Sequence, residues 1–91
     1  MKHEDWKTYR KRPVAIRAIQ LTMENSAEIK AVVGGRDWSR PPTRAVTGII
    51  VPTLEGQHEA SFDDWIVQGV KGEFYPVKPA IFEATYDETQ P

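Results

Sequence analysis

The sequence predicts one small α+β domain on a mainly antiparallel sheet, in the order β-α-β-β-β-α, with a short C-terminal helix. Three observations predict it. A capped, apolar-periodic segment from Asn25 to Gly35 reads as a helix. Val46 to Val51 is a run rich in β-branched residues. Residues 64–86 read as strand, turn, strand and helix, punctuated by Gly69, Gly72 and Pro79. A chain of 91 residues, 40% apolar, supplies one core and one domain of modest stability.

Residues 1–12 lack apolar periodicity and are expected to form a flexible basic arm, which Trp6 and Tyr9 are placed to pin to the body. The domain proper is expected over residues 13–87, with residues 88–91 as a tail. Pro13 to Leu21 reads as the first strand. Val14, Ile16 and Ala18 fall on one face; Ala15, Ile19 and Leu21 fall on the other, which Arg17 interrupts. Asn25 stands at the cap of the first helix and Glu28 at the capping-box position. Ile29, Val32 and Val33 then form its apolar face, and Gly34-Gly35 ends it.

Arg36 to Arg44 reads as a loop, because Pro41 and Pro42 remove two backbone donors. Val46–Val51 is the second strand, limited by Pro52. Leu54–Gln57 reads as a turn and His58–Phe62 as a short third strand. Trp65–Val67 and Glu73–Tyr75 are the fourth and fifth, joined by a hairpin loop of about four residues. Pro79 suits the first turn of the closing helix, where its missing N–H is no loss. Phe82 and Tyr86, four apart, can both face the sheet. Trp65, Phe74 and Phe82 are expected in the core, with Tyr75 turned outward by strand alternation.

Several chemistries are excluded or poorly supported. The absence of cysteine removes disulfides, thiolate metal sites and a cysteine nucleophile. His3 and His58 cannot complete a zinc site, and Asp63-Asp64 on a strand would point to opposite faces. In a turn, Asp63 would instead organise backbone N–H groups. Gly69 and Gly72 lack a phosphate-loop context, and Ser26, Ser39 and Ser61 lack a nucleophile elbow. The start is polar and has no signal-peptide core, and no apolar run is long enough to span a bilayer. An intracellular, soluble, non-enzymatic protein without metal or cofactor is therefore expected.

Charge is unevenly spread. Residues 1–44 hold ten Lys/Arg against five Asp/Glu, a net +5, whereas residues 45–91 hold two against eight, a net −6. The basic run suits an anion site, although a solvated terminal segment balancing the acidic half is the favoured reading. Trp38 lies between Arg36 and Arg40, a pattern that suits stacking on a base, although a tryptophan folded back over the sheet as a lid is the favoured reading.

The pieces Tyr9-Arg10-Lys11-Arg12-Pro13-Val14, Ala18-Ile19-Gln20, Glu28-Ile29-Lys30, Val51-Pro52-Thr53-Leu54-Glu55-Gly56 and the block Asp64 to Tyr86 carry a further signal. Together they resemble a family of short uncharacterised proteins of bacteriophages and prophages. The specific part is Gly69-Val70-Lys71-Gly72-Glu73-Phe74-Tyr75-Pro76, followed by Lys78-Pro79 and Ile81-Phe82-Glu83. The chain departs from that family at Leu21, where an aromatic is usual, and at Phe62-Asp63, where a Pro-Gly turn is usual. The segment Asp37–Arg44 is also particular to this chain. The resemblance transfers no site residue. It implies a setting: a phage-encoded protein acting in the bacterial cytoplasm.

The leading expectation is a non-catalytic phage accessory protein, in one version a counter-defence protein that sequesters a small anionic, nucleotide-type signal. Arg10, Arg12, Arg36, Trp38, Arg40, Lys71, Tyr75 and Lys78 are the candidate ligand-binding residues. The alternative is a protein–protein interaction module, inhibiting a host enzyme or assisting phage assembly. Nucleic-acid binding is disfavoured by the net charge of −1 and the acidic second half. A homodimer or higher homo-oligomer is in keeping with a short chain and exposed sheet edges.

Overall fold

A computed structural model describes residues 5–89. His3, the first four residues of the arm and the last two of the tail lie outside them. The elements are β1 (Arg17–Gln20), α1 (Ser26–Val33), β2 (Arg36–Trp38), β3 (Gly48–Thr53), β4 (Gly56–Ser61), β5 (Trp65–Gln68), β6 (Phe74–Val77) and α2 (Pro79–Thr85). The fold is α+β with two three-stranded antiparallel sheets, ordered β1-β5-β6 and β2-β3-β4.

The β2 strand was not expected. Arg36, Asp37 and Trp38 pair with Ile50, Ile49 and Gly48, so the loop begins only after Trp38. Polar residues mask this strand in the sequence, because its outer edge has no partner. The first strand is also shorter than its composition suggests. Pairing with β5 starts at Arg17↔Gln68, because β5 turns away at Gly69 and leaves residues 13–16 no partner. Pro52, by contrast, does not stop β3. It pairs with Gln57, and β2 reaches only as far as Ile50, so proline's missing donor falls on a side with no ladder. Pro76 lies likewise in the edge strand β6, opposite Ile66.

One core joins the two sheets. Leu21, Ile29, Ile49, Val51, Ala60 and Ile66 form it, with Val33, Phe62 and Phe74 packed against it. Leu21, Ile49, Val51 and Val67 are fully buried, each worth about 2 kcal/mol of transfer free energy. Strand alternation sorts the faces. Ile49, Val51 and Ala60 put one face of the β2-β3-β4 sheet inward, and Ile66 and Phe74 do so for the other sheet.

The α1 helix covers the core through Ile29. Val32, expected on its apolar face, is exposed. Asn25 does not cap this helix with its side chain. Its Oδ1 accepts from the Thr22 N–H at 2.8 Å and its Nδ2 donates to the Gln20 carbonyl at 2.9 Å, fixing the β1–α1 turn instead. Gly34 closes α1 in the left-handed conformation at φ 72°, as its position after the apolar run predicts. Lys30 on α1 pairs with Asp37 on β2 at 2.7 Å.

Candidate functional site

The eight candidate residues do not converge. Arg36 and Trp38 lie on the face of β2 opposite Asp37, level with Ile50 and Gly48, and so on the outer side of their sheet. Tyr75 faces opposite Phe74, on the outer side of the other sheet. The core lies between these two outer faces, so Trp38 and Tyr75 cannot grip one ligand within a chain.

One pair does form. The Arg40 guanidinium lies 5.4 Å from the centre of the Trp38 ring, and its Nη2 donates to Ser61 Oγ at 3.3 Å. Across the sheet at the level of Arg36, however, stands Glu59, beyond Ile50. A carboxylate in that row opposes an anion site.

Two other candidates, Lys78 and Tyr75, have side chains with structural work. Lys78 Nζ bonds Asp64 Oδ2 at 2.8 Å. That carboxylate is buried and also accepts the Ser61 N–H at 2.9 Å. It is thus Asp64, not Asp63, that organises the turn; Asp63 supplies its left-handed residue at φ 80°. Lys71 lies exposed in the β5–β6 loop, where, among the described residues, only its backbone N–H is engaged, donating to Glu73 Oε1 at 3.0 Å. Tyr75 is half-buried rather than free to stack. Its phenol is pushed up to about 12, chiefly by burial, then by a side-chain hydrogen bond with Tyr86 and by the charges of Tyr86 and Glu73. Arg10 and Arg12 are exposed on the arm. His58 is an exposed residue of β4, and among the described residues no three His, Asp or Glu side chains are grouped to hold a metal.

A different place has the shape of a site. The outer face of β5 carries Trp65 and Val67, and α2 lies over it. Phe82 stacks on Trp65 with ring centres 4.1 Å apart and planes 6° from parallel, and Tyr86 follows at 5.1 Å from Phe82. Trp65 and Phe82 therefore form a half-buried outer layer, not part of the central core. Beside them opens a groove of about 550 Å³. Residues 13–16 wall one side and residues 85–89 the other, over a floor of Ala18, Trp65 and Phe82.

None of the eight candidates lines this groove. Its lining includes two carboxylates, Asp87 and Glu88, and no lysine or arginine. Lys11 stands nearby, 5.5 Å from the Tyr86 ring centre. Trp6 and Tyr9 do not pin the arm; they are 71% and 84% exposed.

The sequence held one signal for this groove. Trp65-Ile66-Val67 is apolar on both faces, so a second layer had to cover β5. That residues 13–16 leave the sheet and become a wall was not legible. Among the described residues, no helix is long and apolar enough to cross a membrane. The chain matches no family model, no curated protein and no solved structure.

Proposed function

We propose that the protein is a non-catalytic interaction module that receives an apolar, positively charged segment of a protein partner in the groove between residues 13–16 and α2. The aromatic floor bordered by Asp87 and Glu88 carries this reading. Aromatic rings reward burial of an apolar or aromatic side chain, and the carboxylates favour a cationic one while opposing a phosphate. Val14, in the groove wall, is half exposed and adds apolar surface available to a partner. The phage setting suggested by the sequence fits a module of this kind, acting on a host enzyme or in particle assembly.

Isotope-edited NMR tests it. Short peptides carrying Lys or Arg beside Trp or Tyr are titrated into the full chain, with Glu-for-Lys versions as controls. The expected result is saturable shifts at Ala18, Thr85 and Tyr86, weakened by salt and absent with the acidic controls. Shifts scattered over the surface, or equal for both peptide sets, overturn it.

A second reading keeps the small anionic ligand and centres it on Trp38 and Arg40, which are already stacked. It expects a thermal shift with a nucleotide panel that Arg40→Ala abolishes. No shift across the panel removes it.

A further inference from the structure

The groove's occupant can be identified from the chain itself. Residues 5–12 contain Lys7, Arg10, Lys11 and Arg12 against Asp5, a net +3. They also contain Trp6 and Tyr9, large side chains that the body does not cover. No helix or strand forms between Trp6 and Ile16. The radius of gyration, 15.7 Å, exceeds the roughly 12 Å of a compact chain of this length, in keeping with an arm that projects. One molecule therefore displays a cationic, aromatic, unpaired segment together with an aromatic groove bordered by carboxylates.

The arm's aromatic side chains do not fill its own groove. Residues 13–16 are a wall of that groove, so the arm leaves from its lip. The chain makes a tight turn at Pro13, where the Val14 N–H donates to the Arg12 carbonyl at 2.9 Å, and Lys11 reaches the Tyr86 ring at the groove's border, yet Trp6 and Tyr9 stay exposed. A second molecule can present the same exposed segment to the groove from outside.

We propose that the occupant is the arm of a second copy of this chain, residues 5–12, and that two chains pair by exchanging arms. The proposal rests on the groove being a docking surface for a cationic, aromatic segment. Exchange around a two-fold axis uses the same contact twice and closes at the dimer. It places Trp6 or Tyr9 against the Trp65–Phe82 layer and the arm's Lys and Arg side chains beside Asp87 and Glu88.

Sedimentation equilibrium on the full chain tests the pairing. The expected result is a monomer–dimer equilibrium that approaches twice the 10.4 kDa chain mass and weakens in high salt. Two reversals sharpen it: Lys7→Glu with Arg10→Glu on the arm, and Asp87→Lys with Glu88→Lys at the groove. Each alone should weaken self-association about tenfold or more, while an equimolar mixture of the two should recover a heterodimer. Circular dichroism confirms that each variant is folded.

A wild-type chain that stays monomeric, or a dimer indifferent to both reversals, overturns the proposal. A peptide of residues 5–12 titrated into the full-chain Trp6→Ala/Tyr9→Ala variant separates the two levels. If that peptide fills the groove while wild-type protein stays monomeric, self-pairing falls and the docking surface stands. If neither it nor any other basic aromatic peptide binds, both fall.

Discussion

Phe74 and Tyr75 are neighbours on one edge strand, yet one packs on the central core and the other joins the outer aromatic layer through Tyr86. Burial there disfavours the phenolate, which raises the Tyr75 phenol above its unfolded value near 10 to about 12. The stability this contributes is fully present below the unfolded value. Between the two values the unfolded chain releases the proton and the folded chain keeps it, so stability falls as pH rises and is lost through the folded value. Tyr75→Phe should flatten that alkaline decline, read from urea midpoints across the window; an unchanged slope would assign the decline to another group. Asp64 poses a different balance. Its buried carboxylate holds Ser61 N–H and Lys78 Nζ. The ammonium end is largely exposed, so the ion pair itself is screened and the turn hydrogen bond dominates. Asp64→Ala should destabilise by about 2 kcal/mol in urea unfolding; a loss near zero would show that water satisfies the Ser61 amide.

At the scale of elements, α2 is a seven-residue helix with no buried residue of its own. Helices this short do not persist unaided, so the Phe82 stack on Trp65 is what seats it. Phe82→Ala should cost about 2 kcal/mol, below the usual core value because the ring is half-buried. It should accelerate amide exchange in α2 well before the strands. Equal acceleration everywhere would mean that α2 and the sheets open as one unit. Gly48 is governed by close approach instead. A Cβ there would collide with the Ala60 carbonyl on β4. Gly48→Ala should therefore cost about 3 kcal/mol, as overpacking against backbone does; a near-neutral result in thermal unfolding would contradict the β3–β4 spacing.

The whole molecule has one small core shared by two three-stranded sheets, and each sheet has one central strand, β3 or β5. Those strands are paired on both sides over part of their length and hold most of the buried side chains. Their amides should exchange slowest, with residues 6–16 fastest; comparable protection on β1 or β4 would require a partner on those edges. The charge asymmetry also belongs to this scale. A basic first half and an acidic second half meet where the arm root borders the groove, which makes association through that border salt-sensitive.

The α+β class, the α1 span ending at Gly34, the β5–β6 hairpin and the Pro79 start of α2 were all determined by the sequence, because turn chemistry and apolar period act locally. The inward side of Phe74 and the sheet-facing Phe82 and Tyr86 follow from the same periods. Tertiary structure alone decided that Arg36–Trp38 is a strand, since its partner lies ten or more residues away and its own composition is polar. It decided that Asn25 serves a turn rather than a helix cap, because the Gln20 carbonyl and the Thr22 amide are nearer partners for its side chain. It also divided the sequence's candidate binding residues between two outer faces, and committed the Tyr75 and Lys78 side chains to intramolecular contacts. The groove arises where a strand runs out of partner at Gln68 and the unpaired residues before Arg17 become a wall. Residue types announce which groups can bind; only the register of distant segments decides which of them meet.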